Sequence, residues 1–126
     1  MAYIYYNSNS LGKRVGDCVV RAVSKAMDSS WETAYISLCA EGMELRDMPS
    51  ANSVWGAYLK KNWFNQHLIS SECPACITVR EFAETHPNGI YVLATDNHAV
   101  TVENGDYYDT FDSGDMVLLY YFAKEI

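Results

Sequence analysis

Two hydrophobic periods divide this chain. Up to about residue 85 the apolar positions recur at helical spacing. After Asn88-Gly89 they alternate every second residue. Residues 3–6 alternate weakly and predict a short edge strand, and Asn7–Lys13 reads as a loop. Val19, Ala22, Val23, Ala26 and Met27 then fall at i, i+3, i+4, i+7 and i+8, which predicts a buried helix with Asp17 as its N-cap. Ser29 followed by Glu32 predicts a capping box opening a second helix, with Trp31, Ala34, Tyr35, Leu38 and Cys39 on one face and Gly42 at its end. A third helix is expected over 53–61, with Val54, Trp55, Tyr58 and Leu59 inward. A second capping box, Thr78 to Glu81, opens a fourth that stops before Pro87.

Residues 90–94, 98–102, 107–111 and 117–122 predict four strands, the second and third joined by a hairpin turn at Asn104-Gly105. Helices first and an antiparallel sheet last is an α+β arrangement, and 126 residues suit one domain, 1–126.

Composition narrows the function classes. Hydrophobic residues make up 49% of the chain and charged residues 20%, as in a globular protein. A net charge of −7 repels phosphate, so no nucleic-acid partner is expected. No apolar run approaches the roughly 20 residues of a membrane span, and residues 1–7 lack the pattern of a signal peptide. The expected location is cytoplasmic, where the four cysteines would serve as reduced thiols, metal ligands or a nucleophile.

The chemistry concentrates at Cys18 and His98. Cys18 opens the first buried helix, where the helix dipole favours a thiolate. His98 begins a strand whose hairpin partner carries Asp109 and leads to Asp112. With Asn104-Gly105 as a two-residue turn, His98 faces Phe111 and Val100 faces Asp109; with one more residue in the turn, His98 faces Asp112. Asp112 is the first choice to orient the imidazole and Asp109 the second. A Cys-His-Asp set is the equipment for acyl transfer: the imidazole takes the thiol proton and the acid fixes the imidazole. The Cys18 backbone N–H supplies one oxyanion donor, and Asn9 or Asn7 is the candidate for another. Asp17 beside the thiol works against its ionisation, and Arg21 partly offsets it.

These residues resemble the papain-like cysteine peptidase superfamily, in which a Cys at the start of the central helix precedes a sheet carrying His and an acid. The strand His98–Val102 and the return stretch Tyr108–Ser113 are most similar to Josephin-type deubiquitinases and double-glycine leader peptidases. The helix start Gly16–Ala22 looks like small papain-like proteins of phages and mobile elements of Gram-positive bacteria. The resemblance implies a papain-like fold, with a central helix starting at Cys18 packed on the C-terminal sheet. It implies thiol peptidase, isopeptidase or amidase chemistry on a peptide or protein substrate through a thioester, without a cofactor. The family's Gln a few residues before the nucleophile has no counterpart in residues 12–17.

Two other readings stand beside this one. An acidic domain of this size also suits a binding module, such as a phage-encoded inhibitor occupying a basic face of a host protein. Cys73-Pro74-Ala75-Cys76, flanked by His67 and His86, is half of a zinc-ligand pattern; no metal site is assigned to it.

Overall fold

The structure, a computed structural model, describes residues 2–125, so Met1 and Ile126 of the expected 1–126 domain lie outside the described residues. Ten elements follow one another: β1 (Tyr3–Tyr5), α1 (Cys18–Ala26), α2 (Trp31–Leu45), α3 (Asn52–Lys61), β2 (Phe64–Leu68), α4 (Val79–Thr85), β3 (Ile90–Thr95), β4 (His98–Glu103), β5 (Asp106–Asp109) and β6 (Tyr120–Lys124). The fold is α+β, four helices on one six-stranded mixed sheet of order β1-β5-β4-β3-β6-β2. The expected all-antiparallel C-terminal sheet is corrected at both edges. β1 adds in parallel to β5, and β2, whose residues carry no strand pattern in the sequence, pairs antiparallel with β6.

Alternation along the central strands explains the layering. Val92, Ala94, Ala99 and Phe122 face a core shared with α1, α2 and α3, through Val23, Leu38, Trp55 and Leu59. Leu93, Val100, Val102 and Tyr107 face a second core closed by Val79, Phe82 and Ala83 of α4. Each large apolar side chain fully buried this way contributes about 1.5–3 kcal/mol. α1 is enclosed on nearly every side, which is why its polar members Arg21 and Ser24 are buried with their partners. The Ser24 hydroxyl meets Tyr6 Oη at 2.9 Å, Ser8 Oγ at 2.7 Å and the Arg21 carbonyl at 2.8 Å.

Helix ends bear out some sequence signals and correct others. The Thr78–Glu81 capping box forms, with Glu81 N donating to Thr78 Oγ1 and Thr78 N donating to Glu81 Oε1. The Ser29–Glu32 box does not. Ser30 is the N-cap, accepting from Thr33 N at 3.0 Å, and Glu32 accepts from Ser10 instead. α2 continues through Gly42 to Leu45 and ends at Arg46 in the left-handed conformation. Gly42 stays within the helix because its bare Cα lies under the Asp47 carbonyl, where a Cβ would come within 2.7 Å.

The β4–β5 hairpin takes the two-residue turn. Asn104 and Gly105 have φ of 50° and 85°, the primed geometry that matches strand twist, and Glu103 pairs with Asp106. Cys73 and Cys76 are joined by a disulfide, so this pair stands neither as the free thiols nor as the metal ligands the sequence allowed. Among the described residues, no helix is long and apolar enough to cross a membrane.

Candidate active site

Cys18 is the first residue of α1, and His98 is the first residue of β4, directly after the tight Asp96-Asn97 turn from β3. Packing α1 against β4 brings the two to the same cleft across 80 residues of sequence, with the imidazole near enough to favour the thiolate. On its far side, His98 Nε2 stands 2.5 Å from Asp109 Oδ2, which leaves Nδ1 for the thiol. The hairpin register explains the contact. Thr101 pairs with Tyr108, so Val100 is opposite Asp109 and His98 is its diagonal neighbour. Phe111 covers the imidazole, its ring centroid 5.1 Å away.

The carboxylate beside His98 is therefore Asp109, the second choice from sequence. Asp112 accepts from Tyr107 Oη at 2.6 Å and from Gly114 N at 3.0 Å, and it faces Arg80 on the surface. The reason is the turn: without an extra residue in it, Asp112 falls past the end of the ladder. Asp109 is buried and fully engaged. Besides His98 it accepts from Ser113 Oγ at 2.8 Å and Thr110 N at 2.8 Å, with the Arg21 guanidinium 3.4 Å from Oδ1.

Asp17 differs from its expected role. It occupies the N-cap position, but its side chain makes no capping bond. It forms an ion pair with Arg21 and accepts from Trp31 Nε1 at 2.9 Å. The negative charge that would oppose a thiolate at Cys18 is thus met by a buried guanidinium. Asp17, Arg21, Asp109, His98 and Cys18 follow one another as alternating charges when the thiol is ionised.

These contacts set the proton affinities. Burial works against the Cys18 thiolate, but the His98 imidazole, the Ala99 backbone and the nearby Arg21 charge outweigh it and hold the thiol below its ordinary value. Burial likewise opposes a charged His98, yet the bonds to Asp109 and Cys18 raise it to about 9. Asp109 loses by burial and gains more from His98, Ser113 and Thr110, which keep it below the usual carboxylate range. The thiol is thus held down and the imidazole up, which moves the two toward a thiolate–imidazolium pair beside an ionised Asp109.

Cys18 and His98 open onto a cleft of about 620 Å³. Arg14, Val15 and Gly16 border it before α1; Trp55, Phe111 and Leu119 give it apolar walls. Asn9 is not among the residues lining the cleft. Its Oδ1 accepts from Leu11 N within its own loop, and Asn7 likewise bonds Asn9 N and the Lys13 carbonyl. The side-chain amides that do line it are Asn52 and Asn97, neither singled out from sequence. Asn52 Oδ1 accepts from Trp55 Nε1 at 3.0 Å, which leaves its NH2 group to donate. The signal for Asn52 was only its place at the start of a helix, and nothing local tied that helix to Cys18. Elsewhere, His67 bonds Glu125 and His86 bonds the Phe82 carbonyl, and no group of three or more possible metal ligands occurs among the described residues.

Fold and site together define an α+β domain with a Cys-His-Asp cluster at the mouth of a cleft. No protein-family model matches the chain, and neither a curated protein nor a solved structure is similar enough to match it.

Proposed function

We propose that this chain is a papain-like thiol hydrolase that cleaves a peptide, isopeptide or related amide bond. One observation carries the reading: a thiol at the start of a buried helix lies against an imidazole whose other nitrogen is held at 2.5 Å by a buried carboxylate. A core histidine needs no buried carboxylate at 2.5 Å, and a core cysteine needs no imidazole beside it.

In the reaction, the Cys18 thiolate adds to the carbonyl carbon and forms a C–S bond, and the carbonyl oxygen becomes an oxyanion facing the first backbone N–H groups of α1. Collapse breaks the C–N bond while the imidazolium of His98 gives its proton to the leaving amine. Water then adds to the thioester, with neutral His98 taking its proton. The C–S bond breaks, the acid departs and the thiolate–imidazolium pair returns. Asp109 stays ionised throughout and holds the ring in place. An amine in place of water would give acyl transfer with the same residues. Asn52 and Asn97, from the cleft wall, are the side-chain candidates to assist at the oxyanion.

The test is to present fluorogenic peptide amides and thioesters to the wild type and to Cys18→Ala, and to trap the acyl-enzyme by mass at low pH. Turnover lost in Cys18→Ala, with an acyl adduct on the Cys18 peptide, is the expected result. Full activity in Cys18→Ala overturns the reading.

A further inference from the structure

Resting on the hydrolase reading, we propose that Arg21 is a positioning residue of the site. Braced by Asp17, its guanidinium holds the outer oxygen of Asp109 and so fixes the carboxylate that holds His98.

The geometry assigns each atom a partner. Asp109 Oδ2 takes His98 and Ser113; Oδ1 takes Thr110 N and faces the guanidinium at 3.4 Å. The other arm of the guanidinium bonds Asp17 Oδ1, and Trp31 Nε1 of α2 holds Asp17 Oδ2 at 2.9 Å. The Arg21 side chain is 9% exposed and the two carboxylates less. Among the described residues no buried side-chain nitrogen or oxygen lacks a partner, so this array has no spare donor to replace Arg21.

An apolar helix does not need this arrangement for its packing. Burying a guanidinium and two carboxylates costs more desolvation than the ion pairs reliably return, and an apolar trio of similar volume would serve the core as well or better. What the charges do supply is direction. Thr110 N and Ser113 Oγ already bond the two oxygens from β5's own end; the guanidinium adds a charged contact that ties the carboxylate to α1, the helix that carries Cys18.

Arg21 also acts through space. The charged and titratable groups facing it are Asp17 on the approach to α1 and Asp109 on β5, with Cys18 and His98 of β4 beyond them. α2 contributes only the neutral indole of Trp31, and Tyr3 of β1 bonds the Asp109 carbonyl. A fixed cation here favours the thiolate of Cys18. Its loss moves the Cys18 titration to higher pH, so the range over which the ion pair exists begins at a more alkaline value. A purely structural role would alter the folded fraction and leave that range unchanged.

The experiment measures iodoacetamide labelling of the Cys18 peptide against pH in the full chain. Asp17→Asn would remove a charge that acts on the thiol in the opposite direction, so the test variant is Arg21→Gln with its folded fraction checked; Asp109 keeps His98, Ser113 and Thr110, and Asp17 keeps Trp31. Arg21→Lys keeps the cation without the two-armed reach. Arg21→Gln is expected to raise the labelling midpoint by about 0.5–1 pH unit, and Arg21→Lys to recover part of that shift. A low midpoint in the wild type, unchanged in both folded variants, overturns the role of Arg21 and leaves the hydrolase reading standing. An ordinary thiol titration in the wild type overturns both.

Discussion

Asp109 lies diagonally across the hairpin from His98, and its Oδ2 stands 2.5 Å from the imidazole Nε2. The two-residue Asn104-Gly105 turn makes that pairing, because it sets Val100 opposite Asp109 and carries Asp112 past the end of the ladder. A choice between two acids three residues apart thus reduces to the conformation of one turn.

That choice has a direct consequence. Asp109→Asn should lower turnover by about 10²–10⁴-fold, since the amide cannot hold an imidazolium in the same way. Asp112→Asn, which loses contacts only to Tyr107, Gly114 and Arg80, should stay within a few-fold of wild type. Steady-state rates of the two variants on one amide substrate check this. The reverse order would contradict the assignment.

The pH profile should be bell-shaped. On the acid side, activity falls as the Cys18 thiolate takes a proton, below the ordinary thiol range because the thiol is held down. On the alkaline side it falls near pH 9, where His98 loses the proton it must give to the leaving amine. A single alkaline-rising limb, as for a free thiol, would contradict the ion pair.

Stability should follow the same groups with signs that differ. The His98 proton is bound more tightly in the folded chain, so its contribution is complete below about pH 6.5 and is lost as pH rises through about 9. The Asp109 carboxyl is depressed, so its contribution is present above about pH 3.9 and disappears as pH falls through the folded value. Denaturant midpoints measured across this range, in wild type and in His98→Ala, test the first limb. The variant should show a smaller loss between pH 7 and 10.

Gly16 borders the cleft two residues before the thiol, and a Cβ there would meet no atom within 4 Å. Gly16→Leu should therefore fold normally and narrow the approach to Cys18. Labelling by a bulky aryl maleimide should slow by more than tenfold relative to iodoacetamide, an estimate of about 1.4 kcal/mol of steric cost. Equal slowing of both reagents would place the effect on the thiol and not on access.

Much of this was legible in the sequence, for physical reasons. α1 and α4 carry strong apolar periodicity or a capping box, and β3 and β4 are short apolar runs buried on both faces and bounded by turn residues, so their existence followed from local pattern. β2 did not: in Phe64–Leu68 only Phe64 is buried, and its polar residues belong to an edge strand fixed by pairing with β6. Cys18 and His98 could be singled out because each marks the start of an element. That Arg21 offsets Asp17 was legible too, but their links to Trp31 and Asp109 were not, because a capping position says nothing of where a carboxylate turns once a buried guanidinium and an indole compete for it. Asn52 was hidden for a related reason: the docking of α3 beside α1 is a tertiary fact.

The central claim is the ion pair between Cys18 and His98. Its most direct test is the rate of iodoacetamide labelling of the Cys18 peptide from pH 4 to 9, in wild type and in His98→Ala. The account predicts rapid labelling well below pH 8 that is lost in the variant. Slow labelling that tracks an ordinary thiol near pH 8.5, and is unchanged by His98→Ala, would contradict it and leave an acidic binding module as the better description of the chain.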